Sequence, residues 1–145
     1  MPFQFPFASV LRFRESIEKR EEVALQTIQL EIARVRRRID ELTDEMTRVW
    51  QKREKALQKA IQANRLQTMQ IEINAVVEAK QKLSETLQTL KLQRDEQMKN
   101  YRTARRQRQI LTDLLAQKKS AYEQEQTRRE QKMLDDIVAV RWQRG

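Results

Sequence analysis

Cysteine and histidine are both absent from this 145-residue chain, which holds one glycine and two prolines. Each absence excludes something. Without Cys or His the chain lacks the usual thiol nucleophiles, imidazole bases and soft metal ligands, and it can form no disulfide. Both prolines lie within the first six residues and the glycine is Gly145, so a long interior has no ordinary turn punctuation. No glycine-rich loop is available to cradle a phosphate, and the acidic residues are spread along solvated faces, with no pocket to raise a pKa. No enzymatic activity, cofactor, metal or small-molecule ligand is expected. No run approaches the roughly 18 apolar residues of a membrane span. The start, from Met1 to Phe7, has neither a basic region nor a small-residue cleavage site, so no secretory leader is expected. A soluble cytoplasmic protein is the expectation.

What the chain does contain is charge and helix formers. Charged residues make up 35% and hydrophobic residues 39%, and the net charge is +9. Abundant Gln, Glu, Lys, Arg, Leu and Ala are the composition of long helices. Two apolar stripes run at alternating steps of three and four. The first is Leu25, Ile28, Ile32, Val35, Ile39, Leu42, Met46 and Val49. The second is Leu66, Met69, Ile73, Val76, Leu83, Leu87 and Leu90, with Tyr101, Ala104, Leu111, Leu115 and Tyr122 in the same phase. Such spacing keeps a seam on one side of an under-wound helix, as a coiled coil requires.

The stripes do not join. Extending the first past Ala56 and Ala60 lands on Ala63, Gln67, Gln70 and Asn74, so the phase slips near residues 61–65. The predicted fold is all-α: one domain, 1–145, forming a long antiparallel two-helix coiled coil whose second helix overhangs. Its parts are an N-terminal segment over 1–7, helix 1 over about 8–61, a turn over about 62–64 and helix 2 over about 65–143. Asn64 is the candidate N-cap, with Gln67 completing a capping-box pattern.

A reversal about residue 63 pairs Val35 with Leu90, Ile39 with Leu87, Leu42 with Leu83, Val49 with Val76, Ala56 with Met69, Ala60 with Leu66, Leu25 with Tyr101 and Ile28 with Gln97. It also sets Glu18 opposite Arg108, Ile32 opposite Arg94, Met46 opposite Lys80 and Arg53 opposite Ile73. Polar layers weaken a seam but hold its register. Glu15, Glu18, Glu21 and Glu22 then face Arg102, Arg105, Arg106 and Arg108, unless both runs are simply solvated. Helix arms of roughly 55 and 80 residues would measure about 80 and 120 Å, so residues beyond about 125 have no intramolecular partner. That overhang carries Met133, Leu134, Ile137, Val138, Val140 and Trp142, an apolar surface suited to docking on another protein unless the Phe3, Phe5 and Phe7 segment or a second copy covers it.

Three features together resemble the flagellar FliJ family, the small coiled-coil component of the flagellar type III export apparatus. The opening Phe3-Gln-Phe-Pro-Phe7-Ala-Ser-Val10-Leu11-Arg-Phe-Arg14-Glu15 is similar to the family's alternating aromatics followed by a Val-Leu-x-x-Arg-Glu turn. The closing Arg128-Arg-Glu-Gln131-Lys132-Met-Leu134-Asp135-Asp136-Ile137 is similar to its Glu-Gln-Lys-x-Leu-Asp-Glu motif. The length and the central slip also agree. The resemblance implies a stalk-like antiparallel hairpin, similar to the central stalk of rotary ATP synthases, that serves bacterial flagellum biogenesis and motility. It would insert the end bearing both termini into a hexameric export ATPase, promote ring assembly, and contact the export gate membrane protein and export chaperones. It would sit in the cytoplasm, peripherally at the inner membrane below the flagellum.

On that resemblance, candidate ATPase-binding residues are Arg12, Arg14, Lys19, Arg20, Arg128, Arg129, Lys132, Met133, Leu134, Ile137 and Val138. The family's gate contact, early in helix 2, falls on Val76, Val77, Ala79 and Leu83. Val76 and Leu83 are also seam residues, which leaves Val77 and Ala79 as the better test. Other readings stay open: a stalk of a virulence secretion system, a basic nucleic-acid-binding coiled coil built on clusters such as Arg34, Arg36, Arg37 and Arg38, or a parallel structural rod. Interspersed acids and the lack of a base-stacking platform count against specific nucleic-acid binding.

Overall fold

The computed structural model describes residues 2–59 and 62–144. It holds two α-helices packed against each other, α1 (Ala8–Gln58) and α2 (Ala63–Arg144), and no strand among the described residues. The chain thus folds back on itself as a helical hairpin instead of running on as a single rod. Helix α1 starts where the prolines end: after Pro6, the Phe7 carbonyl accepts the Leu11 amide at 2.9 Å, and the Ala8 amide reaches the Phe5 carbonyl at 3.2 Å. Interior threonines do not break the helices, because hydroxyls such as those of Thr43 and Thr86 donate to carbonyls one turn back, Ile39 at 2.9 Å and Lys82 at 3.1 Å.

Helix α1 closes with a tightened turn, the Lys59 amide on the Ala56 carbonyl at 3.2 Å, and α2 opens with the Arg65 amide on the Gln62 carbonyl at 3.0 Å. Asn64 therefore lies inside the first turn of α2 and is not its cap; its backbone carbonyl accepts the Thr68 hydroxyl at 3.0 Å. Capping preference is worth only about 1 kcal/mol and yields to the position that lets both seams close. The expected Ala60–Leu66 layer and the end of helix 1 at residue 61 fall outside the described residues.

The chain divides into two compact units, each taking part of both helices. Unit 2, Glu21–Asn100, holds the thin core: Leu25, Ile32, Leu42, Ala56, Ile73, Val76 and Leu90 are buried. Ile28, Val35, Ile39, Met46, Val49, Leu66, Met69, Leu83 and Leu87 are half-buried, as a two-helix seam requires, because each side chain has a partner on one side only. Long polar side chains bridge the two helices of the hairpin here. Arg53 donates to Gln70 at 2.8 Å, and Gln97 donates to Glu21. Side chains lean toward their own helix N-terminus, so in antiparallel helices polar tips meet up to a turn away from backbone register.

Unit 1 takes residues 1–20 and 101–145. Leu11 and Ala104 are buried in it, and Tyr101, Leu111, Leu114, Leu115 and Tyr122 are half-buried. The Phe3 ring packs on Tyr122, centroids 5.5 Å apart, and Phe5 meets Phe7 edge-on at 5.8 Å. These aromatics fasten the N-terminal segment beside Tyr122. Beyond it, Gln126 is the last half-buried residue, and 127–144 are exposed throughout.

Candidate functional site

Three surfaces can meet other molecules. In unit 1, the exposed end of α2 carries two adjacent apolar lines: Met133, Ile137 and Val140 at helical spacing, and Leu134, Val138 and Trp142 beside them. Trp142 is 83% exposed. Basic residues flank the lines. Arg128 and Lys132 are exposed, and Arg129 makes an exposed i,i+4 pair with Glu125 at 3.5 Å. The N-terminal cations belong to the same unit. Arg12, Lys19 and Arg20 are exposed, while Arg14 is half-buried, donating to Gln107 at 2.6 Å with its guanidinium 5.9 Å from the Phe13 ring. All eleven expected ATPase-facing residues therefore belong to one unit, although Arg14 is largely engaged by the hairpin itself.

One ion pair organises that unit. Arg108 grips Glu18 with two nitrogens, Nε to Oε2 at 2.6 Å and Nη2 to Oε1 at 3.2 Å, and Nη1 reaches the Thr112 hydroxyl at 3.4 Å. Both side chains are mostly shielded, at 24% and 16% exposed. The hydrogen bond from Arg108 holds the Glu18 carboxyl below its ordinary value; partial burial opposes this, and the positive charges of Arg108 and Arg105 add to it. The guanidinium of Arg108 is raised by the same hydrogen bond. A bidentate fork fixes orientation as well as charge.

The second and third surfaces lie in unit 2, on opposite flanks of its seam. A residue that follows a second seam position is an e residue, and one that precedes a first seam position is a g residue. Chain reversal brings e residues of both helices to one side and g residues to the other. Arg53 demonstrates the first pairing: its guanidinium lies 5.2 Å from the ring of Trp50, an e residue of α1, while it donates to Gln70, an e residue of α2. Leu57 and Val77 join that flank as e residues, and Trp50, Arg53, Glu54 and Leu57 line an open cavity of about 350 Å³. Ala79 is a g residue. The two off-seam gate candidates thus face opposite ways, Val77 exposed at 48% and Ala79 half-buried, while Val76 is core and Leu83 half-buried in the seam. The sequence reading passed over the Trp50 flank. Its signal was the seven-residue step from Trp50 to Leu57, each directly after a seam residue.

Among the described residues no group of three or more acidic, Cys or His side chains is placed to hold a metal ion. Among the described residues, no helix is long and apolar enough to cross a membrane. These surfaces belong to a helical-hairpin protein with exposed apolar and basic faces. The family model described as "Flagellar FliJ protein" matches residues 3–145, and the chain belongs to that family. It is accordingly a stalk component of the flagellar export apparatus, in a family whose role is structural and non-catalytic. Comparisons with curated proteins and with solved structures give no match.

Proposed function

We propose that this chain is a non-enzymatic stalk that docks its terminal end in the hexameric flagellar export ATPase, promotes ring assembly, and links the ring to the export gate and to export chaperones. The observation that carries this reading is the exposed end of α2. Six large apolar side chains, Met133, Leu134, Ile137, Val138, Val140 and Trp142, stand in water with no covering segment among the described residues. Exposed apolar surface of that kind is an interaction site by default. A helix presenting apolar lines with cations beside them suits a collar that is apolar with acidic loops.

In this reading Arg12, Lys19, Arg20, Arg128, Arg129 and Lys132 steer the end toward the pore, and Met133, Leu134, Ile137 and Val138 fill it. Val77 or Ala79 meets the gate protein; Val76 and Leu83 support them from the seam. Peripheral placement at the cytoplasmic face of the inner membrane follows from these partners. The test is ring formation and ATP hydrolysis by the cognate export ATPase, with full-length chain against a truncation after Glu130. Stimulation by the full chain and none by the truncation is expected. Among the described residues the truncation removes only exposed ones, so the rest of the hairpin keeps its packing. Equal stimulation by both, or none by either, refutes the docking.

A further inference from the structure

The g flank near the turn is strongly basic on its α1 side. Arg48, Lys52 and Lys55 follow along α1 at steps of four and three, a line about 10 Å long at 1.5 Å per residue, and Lys59, four residues on, stands in the turn that closes the helix. All four are exposed, and none is in an ion pair among the described residues. Arg65, a g residue of α2, extends the line past the turn. The facing g and neighbouring c positions of α2 are Thr68, Glu72, Ala75 and Ala79, small apart from one carboxylate. One wall is therefore tall and basic, the other low. Five cations stand against two acids on this flank, Glu72 and, at the preceding g position of α1, Glu45, and leave a net positive strip.

We propose that this basic groove takes an acidic helix from a partner protein, with carboxylates at three- and four-residue steps against Arg48, Lys52, Lys55 and Lys59 and small or apolar residues over Ala75 and Ala79. Charge complementarity selects an anionic occupant, and the linear array with its low wall selects a helical one. A lipid surface fits less well. Interfacial binding needs a row of apolar anchors on the basic face, whereas Trp50, Leu57 and Val77 occupy the opposite flank and Ile71 alone, 65% exposed, stands beside the α2 wall. The groove shares only Ala79 with the gate-docking reading and stands on its own residues.

The test uses the full chain and a synthetic helix-forming peptide with glutamates at steps of four, three and four and alanine or leucine between them. A scrambled peptide of the same composition is the comparison, and binding is followed by fluorescence anisotropy of a label on the peptide. Reversing two exposed charges, with Lys52→Glu and Lys55→Glu together, should weaken binding roughly tenfold, two attractions having become repulsions. Ala75→Trp, which fills the groove without changing charge, should weaken it comparably. The pair Lys118→Glu and Lys119→Glu in unit 1 makes the same change in net charge and should leave binding within about twofold, because screening confines exposed charges to about 10 Å.

Equal affinity for the scrambled peptide, or equal loss in the unit 1 control, reduces the effect to net charge and overturns the proposal. Anionic vesicles or duplex DNA that bind through Lys52 and Lys55 with no effect of Ala75→Trp also overturn it, in favour of those surfaces. Loss of gate-protein binding in a Val77 variant that still takes the peptide bears on the gate reading alone.

Discussion

Replacing Arg108 by Met keeps most of the side-chain stem and removes the fork that holds Glu18. The carboxylate is left mostly shielded, at 16% exposed, without its two charge-assisted bonds. An exposed ion pair contributes about 0.2–1 kcal/mol, and breaking a fully buried one costs about 3–5 kcal/mol. This pair is intermediate in burial and bidentate in geometry, so the single substitution should cost about 1.5 kcal/mol, or roughly 3–6 °C in Tm for a chain of this size. A double-mutant cycle with Glu18→Gln isolates the pair and should return a coupling of about 1 kcal/mol.

The pH dependence follows from linkage. The carboxyl of Glu18 is lowered in the folded chain, so the folded state binds its proton less readily than the unfolded state does. The pair's contribution is therefore complete above the ordinary glutamate value of 4.5 and is lost as pH falls through the lowered folded value. Thermal melts of the parent and of Glu18→Gln should differ by a constant amount from neutral pH down to mild acid, then converge in stronger acid. A coupling near zero, or a gap that ignores acid, would refute the role given to the pair.

Other expectations are simpler to read. Leu42→Ala, at a position 4% exposed, should cost about 2–3 kcal/mol in chemical denaturation, the low end for core truncation because a two-helix seam can partly collapse. Leu92→Ala, at a position 72% exposed, should change stability by less than about 0.5 kcal/mol. Equal costs at the two positions would mean that the seam runs elsewhere. In a Trp50→Phe background, Trp142 is the only tryptophan, and its emission should shift to the blue when the export ATPase is added. An unchanged spectrum at saturating ATPase would place the end of α2 outside the contact.

Helix, hairpin and overhang were legible in the sequence, because they depend on local chemistry and on period. A chain without interior glycine or proline has no cheaper alternative to long helices, and alternating steps of three and four confine apolar residues to one side. The slip near 61–65 pointed to a reversal, and the surplus length of the second stripe pointed to residues left unmatched. The side-chain partners were less legible. Glu18 with Arg108 could be named from register, yet Arg53 reached Gln70 and Gln97 reached Glu21, because long side chains lean along the helix and choose among several carboxylates and amides within a turn. The cap at Asn64 was misplaced because a preference of about 1 kcal/mol yields to seam closure.

Which flank each exposed residue occupies was decided only by tertiary structure. In one helix Val77 and Ala79 are near neighbours in sequence, and either is simply off the seam. Packing α1 antiparallel against α2 sends Val77 to the side of Trp50 and Leu57, and Ala79 to the side of Lys52 and Lys55. Period alone determines that a residue is exposed. The partner helix determines what stands beside it, because the flanks of a hairpin are built jointly from positions far apart in the chain.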